Sequence, residues 1–362
     1  MLYTAIPSTY PKEGIYEYSV IHVDLSCATP GARIHYTIDG SQPSLQSPVY
    51  DRSLGLIPLP AIPEGETLYR LRAFAVSENR EPSPEAEYRF RIIARKRGHF
   101  PHQIMREPSR GRLGLIRVED FDLDKMYLLI GSERALLIDS GWDETGDLPA
   151  LCRQLAGGLP VDLIVAHGHP DHVAQIPNFL SAGCRVYLPR ADFELAASFC
   201  PGLPREQILD IRSGDVLDLG GGSLKVYTVP GHTPGGVVLV DEASGDLFSS
   251  DAFGSNRRYV PDSAFLQLSE CSAESCLCAL RAFRRTAGPL KRIYTGHNDE
   301  VLDADSYLDC LERALSGGLE AGESALLPSL RSASESFGSG TVLSDGNWRL
   351  GPVWAAANIK FM

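Results

Sequence analysis

Over roughly its first ninety residues the chain alternates apolar and polar positions in short runs rich in β-branched and aromatic side chains: YEYSVIHVDLS, RIHYTIDG, LYRLRAFAVS and EYRFRIIA. A period of two puts successive side chains on opposite faces of a strand, and TPGA, DGSQPS and NREPSP supply turns. The pattern predicts an all-β sandwich module over residues 1–94. From Leu113 the texture changes. Continuous apolar runs, MYLLIG, RALLIDSG and VDLIVA, alternate with helical stretches, the first near Leu148–Leu155, which predicts an α/β (α+β) domain over residues 113–323 with sheets covered by helices. Residues 95–112, RKRGHFPHQIMREPSRGR, hold six basic residues and one acidic, and read as a solvated basic linker in preference to a phosphate-binding arm. A C-terminal extension, 324–362, runs from a Ser/Gly-rich stretch to a hairpin, TVLSDGNWRL, and a last strand, VWAAANIKF.

Composition narrows the partner. The 362 residues suffice for two or three cores. With 34 Lys+Arg against 46 Asp+Glu the formal net charge is -12, which argues against a nucleic-acid or anionic-membrane surface and for a small-molecule substrate. No run approaches the roughly 18 uncharged apolar residues of a spanning helix. The opening MLYTAIPSTYPKEG lacks both a basic and an apolar export region, so a cytoplasmic protein is expected. Eight cysteines form no CxxC pair, and the nearest two, Cys276 and Cys278, fall in a predicted amphipathic helix as ordinary thiols.

Chemistry concentrates in AHGHPDH, Ala166–His172, where three of the nine histidines and an aspartate fall within seven residues. A lone histidine on an apolar face is ordinarily core. Chance placement of this set has a probability on the order of a few in ten thousand, which makes the cluster a motif. His167 and His169 sit just beyond the predicted strand VDLIVA, while Asp171 and His172 open a predicted helix, DHVAQIPNFLSAG, closed by Gly183. Adjacent helical residues point about 100° apart, so the HxH pair and the Asp–His pair are suited to two neighbouring ions. The same placement recurs: His232 follows LKVYTV, Asp251 follows GDLFSS and His297 follows KRIYT. Ligands from separate strands converge at that edge of an α/β sheet. The other four, His22, His35, His99 and His102, fall in the module or linker and are assigned surface or structural roles.

Together HxHxDH, PGHTPG, SSD and TGHN, with LLIDSG upstream, closely resemble the metallo-β-lactamase-fold hydrolases over about residues 113–312. The resemblance implies a four-layer αββα sandwich. It also implies that His167, His169 and His232 hold one metal, that Asp171, His172 and His297 hold a second, and that Asp251 bridges them. Asp139 would support the metal-binding loop by hydrogen bonds. Imidazole and carboxylate suit two divalent ions, zinc foremost, with iron and manganese also compatible. Two such ions, two aspartates and a bridging hydroxide leave a net charge of about plus one, suited to an anionic transition state. The implied chemistry is hydrolysis by a bridging water whose pKa is lowered to roughly 7, with Asp171 and Asp251 the catalytic carboxylates.

Departures from the family patterns narrow the choice. Zinc β-lactamases of the first subclass carry Cys where Asp251 stands. Quorum-quenching lactonases place Tyr where Gly254 stands, leaving Tyr259 or Tyr187 as substitute phenols. Flavodiiron reductases carry Glu where His169 stands and add a flavodoxin domain. Glyoxalase II-like thioesterases share the ligand set, without their basic tail in evidence here. The expected substrate is therefore a small ester, thioester, lactone or similar acyl compound. The rivals are an iron-dependent persulfide oxidoreductase using His167, His232 and Asp251, and a nuclease or phosphodiesterase with the basic linker as its arm. Trp142, Arg257, Arg258 and Tyr259 are candidate substrate contacts. The segments ARIHYTIDGSQPSLQSPVY and LRAFAVSENREPSPEAEYRF resemble, over residues 13–94, the fibronectin-like module at the C-terminus of chitobiases and β-hexosaminidases. All three tryptophans lie outside it, which favours a scaffold or homo-oligomerisation role over a sugar platform.

Overall fold

Alternation in the first ninety residues becomes two facing sheets in a computed structural model. The structure describes residues 2–316 except 18–19, 53–55, 63–64, 110, 122–123, 255–263, 268–270 and 299–300, and beyond them three strands, Val342–Leu343, Trp348–Leu350 and Trp354–Ala357. The chain divides into two units between Lys96 and Arg97. In the first, Gly14–Glu17, Ala86–Ile93, Glu66–Val76 and Arg33–Thr37 form a four-stranded sheet, and Ser8–Tyr10, Val20–Ser26 and Ile57–Pro60 a three-stranded one. Ile21, Val23 and Leu25 of the smaller sheet pack on Leu71, Ala73, Ala75, Phe90 and Ile92 of the larger. The sequence pattern missed Ser8–Tyr10 and Ile57–Pro60, which are short edge strands; the two prolines of IPLP are tolerated at an edge. His35 is structural, buried against the Phe74 ring with Nδ1 3.1 Å from the Ser47 carbonyl.

In the second unit a seven-stranded sheet runs in spatial order Ile208–Leu209, Val186–Tyr187, Val161–Ile164, Ala135–Ile138, Lys125–Ile130, Gly114–Glu119 and His102–Arg106. Its first four strands are parallel and the rest antiparallel. A six-stranded sheet has the order Val216–Asp218, Ser223–Thr228, Val237–Asp241, Asp246–Ser250, Arg292–Thr295 and Leu302–Asp303. The central strands are buried throughout and mostly apolar because both faces are covered. On Lys125–Ile130, for example, Tyr127 and Leu129 face the other sheet, with Phe248 and Tyr294 among their neighbours. Met126, Leu128 and Ile130 face the helices Leu148–Leu155, Ile176–Ser181 and Phe193–Phe199. Helices Ala273–Thr286 and Ala304–Ser316 cover the outer face of the six-stranded sheet. The result is the expected four-layer αββα sandwich.

Two expectations need correction. Residues 95–112 do not all run free as a linker: His102–Arg106 is an edge strand, and Arg106 is 9% exposed and paired with the fully buried Asp246 of the other sheet. Pairing this guanidinium avoids the cost of an unpartnered buried carboxylate. The helix expected from Asp171 to Gly183 is two short helices, Pro170–Val173 and Ile176–Ser181. Pro177 lacks the N–H that would reach the Val173 carbonyl, and the backbone N–H of buried Gln175 is donated to Ser140 Oγ at 3.2 Å. At the C-terminus, Val342–Leu343 and Trp348–Leu350 form the expected hairpin, and Trp354–Ala357 pairs antiparallel with Ala264–Gln267. Among the described residues no helix is long and apolar enough to cross a membrane.

Candidate metal centre

Two pairs of parallel strands deliver the site. Ile138 and Ile164 are register partners in the seven-stranded sheet, so Asp139 and the loop carrying His167 leave it at the same end. Ser250 and Thr295 are partners in the six-stranded sheet, so Asp251 and His297 leave together there. His232 comes from the turn joining Ser223–Thr228 to Val237–Asp241. Seven donors thereby assemble in two groups, His167/His169/His232 and Asp171/His172/Asp251/His297, each with ligand atoms within 4.8 Å of one another. The groups abut, with the rings of His167 and His172 4.1 Å apart.

In the histidine group, His232 Nε2 lies 2.9 Å from His169 Nδ1 and 3.1 Å from His167 Nε2. Three ring nitrogens facing one point this closely cannot all carry protons. Donors about 2.0–2.1 Å from a tetrahedral ion stand about 3.3 Å apart, so the triangle fits a metal. In the second group Asp171 Oδ2 lies 3.3 Å from both His172 Nε2 and His297 Nε2, and Asp251 Oδ2 lies 3.0 Å from His297 Nε2 and 3.6 Å from His172 Nε2. His172 Nε2 is buried and makes no well-aligned hydrogen bond, an arrangement that a cation would complete. Asp171, Asp251 and His297 keep 22%, 14% and 17% of their side-chain surface, so the site opens to solvent on this side.

Each imidazole of the second group is backed by a carboxylate on its other nitrogen. His172 Nδ1 is 3.1 Å from Asp139 Oδ2, and His297 Nδ1 is 3.0 Å from Asp124 Oδ1. Asp139 also accepts the Ala166 N–H at 2.8 Å, which ties it to the histidine loop as expected. Two non-glycine residues here adopt left-handed backbone, Asp139 at φ 63° and Ser250 at φ 46°. Such strain concentrates where surroundings over-determine the backbone. Ser250 Oγ sits 3.4 Å from Nδ1 of both His167 and His172.

The electrostatics divide the groups. Burial, reinforced by the neighbouring imidazoles, pushes His167 well below the usual histidine range. Burial works in the same sense on His172 and His297, but Asp171 and Asp139 around the first, and Asp251 and Asp124 around the second, outweigh it and raise both. Burial would raise Asp171 and Asp251, yet the facing imidazoles hold both well below the carboxylate range. Asp124 is raised by burial and by repulsion from Asp120.

All seven sequence-predicted donors therefore come together. Trp142 is half-buried on the loop after Asp139, its backbone N–H donated to Asp120 Oδ2 at 2.6 Å. Tyr187 belongs to the core between the sheets, which corrects its reading as a substrate phenol. Arg257, Arg258 and Tyr259 lie outside the described residues. Sequence reasoning missed Asp124, which precedes a strand in the acidic run EDFDLDK, and Asp192, which follows one in VYLPRAD. Asp124 stands immediately before its strand and Asp192 ends the short turn Arg190–Asp192 after one, so neither carries the signal of the histidines, which lie on loops just past their strands.

A sequence model described as Metallo-beta-lactamase superfamily matches residues 124–315, more than half of the chain, and one described as Chitobiase/beta-hexosaminidase C-terminal domain matches residues 11–86. The chain is similar to a Coenzyme F420H(2) oxidase of Methanothermobacter marburgensis, 33% identical over 146 residues that cover 35% of this chain and 34% of that protein. It is similar to a Hydroxyacylglutathione hydrolase of Rhodopseudomonas palustris, 33% identical over 105 residues, 29% of this chain and 37% of that protein. A Hydroxyacylglutathione hydrolase of Fuscovulum blasticum is 31% identical over 157 residues, covering 41% and 57% respectively. The chain thus spans about a third to just over half of the length of these relatives. Among solved structures it is similar to a metallo-beta-lactamase from Pontibacter korlensis, at 18% identity over 60% of this chain and 100% of that one, with a TM-score of 0.47.

Proposed function

The chain belongs to the metallo-β-lactamase superfamily, and from that premise we propose that it is a cytoplasmic dinuclear-metal hydrolase of a small acyl substrate: an ester, thioester, lactone or similar compound. The observation that carries the reading is the pair of abutting donor groups, three imidazoles beside two imidazoles and two carboxylates. His167, His169 and His232 would hold one ion and Asp171, His172 and His297 the other, with Asp251 shared between them. Two divalent ions held there, zinc foremost, would lower the pKa of a water to about 7 and polarise the scissile carbonyl. Asp171, kept ionised by its imidazole neighbours, would orient the attacking water and later pass a proton to the leaving oxygen or sulfur. The partly exposed face formed by Asp171, Asp251 and His297 is where a substrate would enter.

Two similar proteins named Hydroxyacylglutathione hydrolase support the hydrolytic reading. A similar protein named Coenzyme F420H(2) oxidase keeps an oxidoreductase as the rival class; its form on this chain would be an iron-dependent enzyme acting on persulfides through His167, His232 and Asp251. Metal analysis of the purified protein alongside a screen of esters, thioesters, lactones, β-lactams and phosphodiesters separates them. Two zinc ions per chain with acyl turnover is the expected result. A single iron with oxygen-dependent loss of a persulfide overturns it, and turnover confined to phosphodiesters would move the protein to the nuclease branch.

A further inference from the structure

Two buried carboxylates that are not members of the donor groups each touch only one of them. Asp192 is fully buried. Its Oδ2 accepts the Gly168 N–H at 3.1 Å and the Thr233 hydroxyl at 2.6 Å, and its Oδ1 accepts the Gly235 N–H at 2.6 Å. Gly168 lies between His167 and His169, while Thr233 and Gly235 follow His232, so one side chain ties the two loops that carry the histidine group. The approach is close: a Cβ on Gly235 would stand 2.6 Å from Asp192 Oδ1. Asp124 acts at the other group. Its Oδ1 faces His297 Nδ1 at 3.0 Å, its backbone N–H is anchored on Asp120 Oδ1 at 3.1 Å, and the adjoining Lys125 N–H donates to the Gly296 carbonyl at 2.7 Å. Holding the proton on Nδ1 turns the Nε2 lone pair of His297 toward Asp171 and Asp251.

We propose that Asp192 and Asp124 are positioning residues that divide the centre between them. Asp192 sets the spacing of His167 and His169 from His232, and Asp124 sets the orientation and tautomer of His297. This rests on the metal-centre reading. Asn at 192 retains one oxygen, so in either orientation its NH2 faces the Gly168 or the Gly235 N–H, donor against donor, which loosens the clasp. Asn at 124 loses the charge that favours a proton on Nδ1. Loss of such a supporting partner lowers metal affinity by about 10–100-fold.

The test is zinc titration of metal-free protein against a competing chelator, in backgrounds that each leave one group. With His297→Ala, which leaves the histidine group, D192N should weaken binding about 10–100-fold and D124N should change it by less than about threefold. With His169→Ala, which leaves the other group, the two effects should exchange. Thr233→Val removes one donor from the clasp and should act at the histidine group alone, in the same direction and less strongly, which serves if D192N fails to fold. Equal losses at both groups, or losses below threefold at either, would reduce the carboxylates to general structural roles and overturn the proposal. A wild-type chain that takes up no zinc, iron or manganese instead sinks the metal-centre reading and this proposal with it.

Discussion

Gly296 stands between Thr295, at the end of its strand, and His297, and it permits a contact that no other residue would. A methyl group there would lie 2.3 Å from Asp251 Oδ1 and 3.1 Å from His172 Cε1. Gly296 is not among the positive-φ glycines, so alanine fits its backbone and Gly296→Ala isolates the steric push. Ordinary contact begins near 3.4 Å, so the Asp251 carboxylate must retreat by about 1 Å. Metal–oxygen bonds of roughly 2.0–2.2 Å tolerate displacements of only about 0.2 Å. The carboxylate must then leave any ion it holds, and a misplacement of about 1 Å costs on the order of 100-fold in rate. Overpacking should cost the metal-free fold only about 1–3 kcal/mol. The assay is zinc stoichiometry and affinity, kcat/KM on the best acyl substrate, and thermal unfolding of metal-free protein. A variant that keeps two tightly bound ions and wild-type turnover would refute the placement of Asp251 as a ligand.

Asp251→Ala should abolish acyl hydrolysis and lower metal content; retention of both ions and full turnover would remove the shared-ligand assignment. Metal uptake should depend on pH differently at the two groups. The raised His172 and His297 must release protons, so their group gains affinity as pH rises through their elevated values, whereas the lowered His167 is already neutral near pH 7. Isothermal titration at about pH 6 and about pH 8 would show this as a steeper pH dependence at the group holding His172 and His297; equal sensitivity would contradict it. Arg106→Ala should destabilise the second unit by about 3 kcal/mol, because it strips a partner from the fully buried Asp246 while Arg292 remains at 2.6 Å. Burial alone would raise Asp246, but Arg106 and Arg292 outweigh it and depress its folded-state pKa. Its contribution is therefore whole above the unfolded value of about 3.9 and lost as pH falls through the folded value, a slope that Asp246→Asn should flatten in urea unfolding. Deleting residues 1–94 should change the oligomeric state or activity if the N-terminal module is the proposed scaffold; light scattering with unchanged mass and rate would count against that role.

Much of the centre was legible because its ligands obey a local rule. Each lies just past an apolar run, and a run ending in His or Asp marks a strand edge whether or not its neighbours are known. Asp139 was visible for the same reason in LLIDSG. Asp124 and Asp192 do not obey that rule, since Asp124 precedes its strand and Asp192 ends a short turn beyond one, and only contact with His297 Nδ1 or with Gly168 and Gly235 distinguishes them. Arg106 looked like one more charge in a basic stretch. Its role depends on Asp246, 140 residues away, which no local pattern reveals. The apolar spacing after His169 is helical throughout, while the break comes from Pro177 and from Ser140 Oγ, which takes the Gln175 backbone N–H.

The sequence by itself determined most of the strands and helices and which residue types stand at their ends, since period, turn residues and side-chain chemistry are properties of neighbours along the chain. Through the resemblance its motifs carry, it also pointed to the αββα class, the seven donors and their division into two groups. The tertiary structure alone decided how closely the two groups abut, which carboxylate backs which imidazole, and which glycine has no room for a methyl. Those outcomes rest on distances of about 3 Å between residues tens to more than a hundred positions apart, set by strand register and sheet packing.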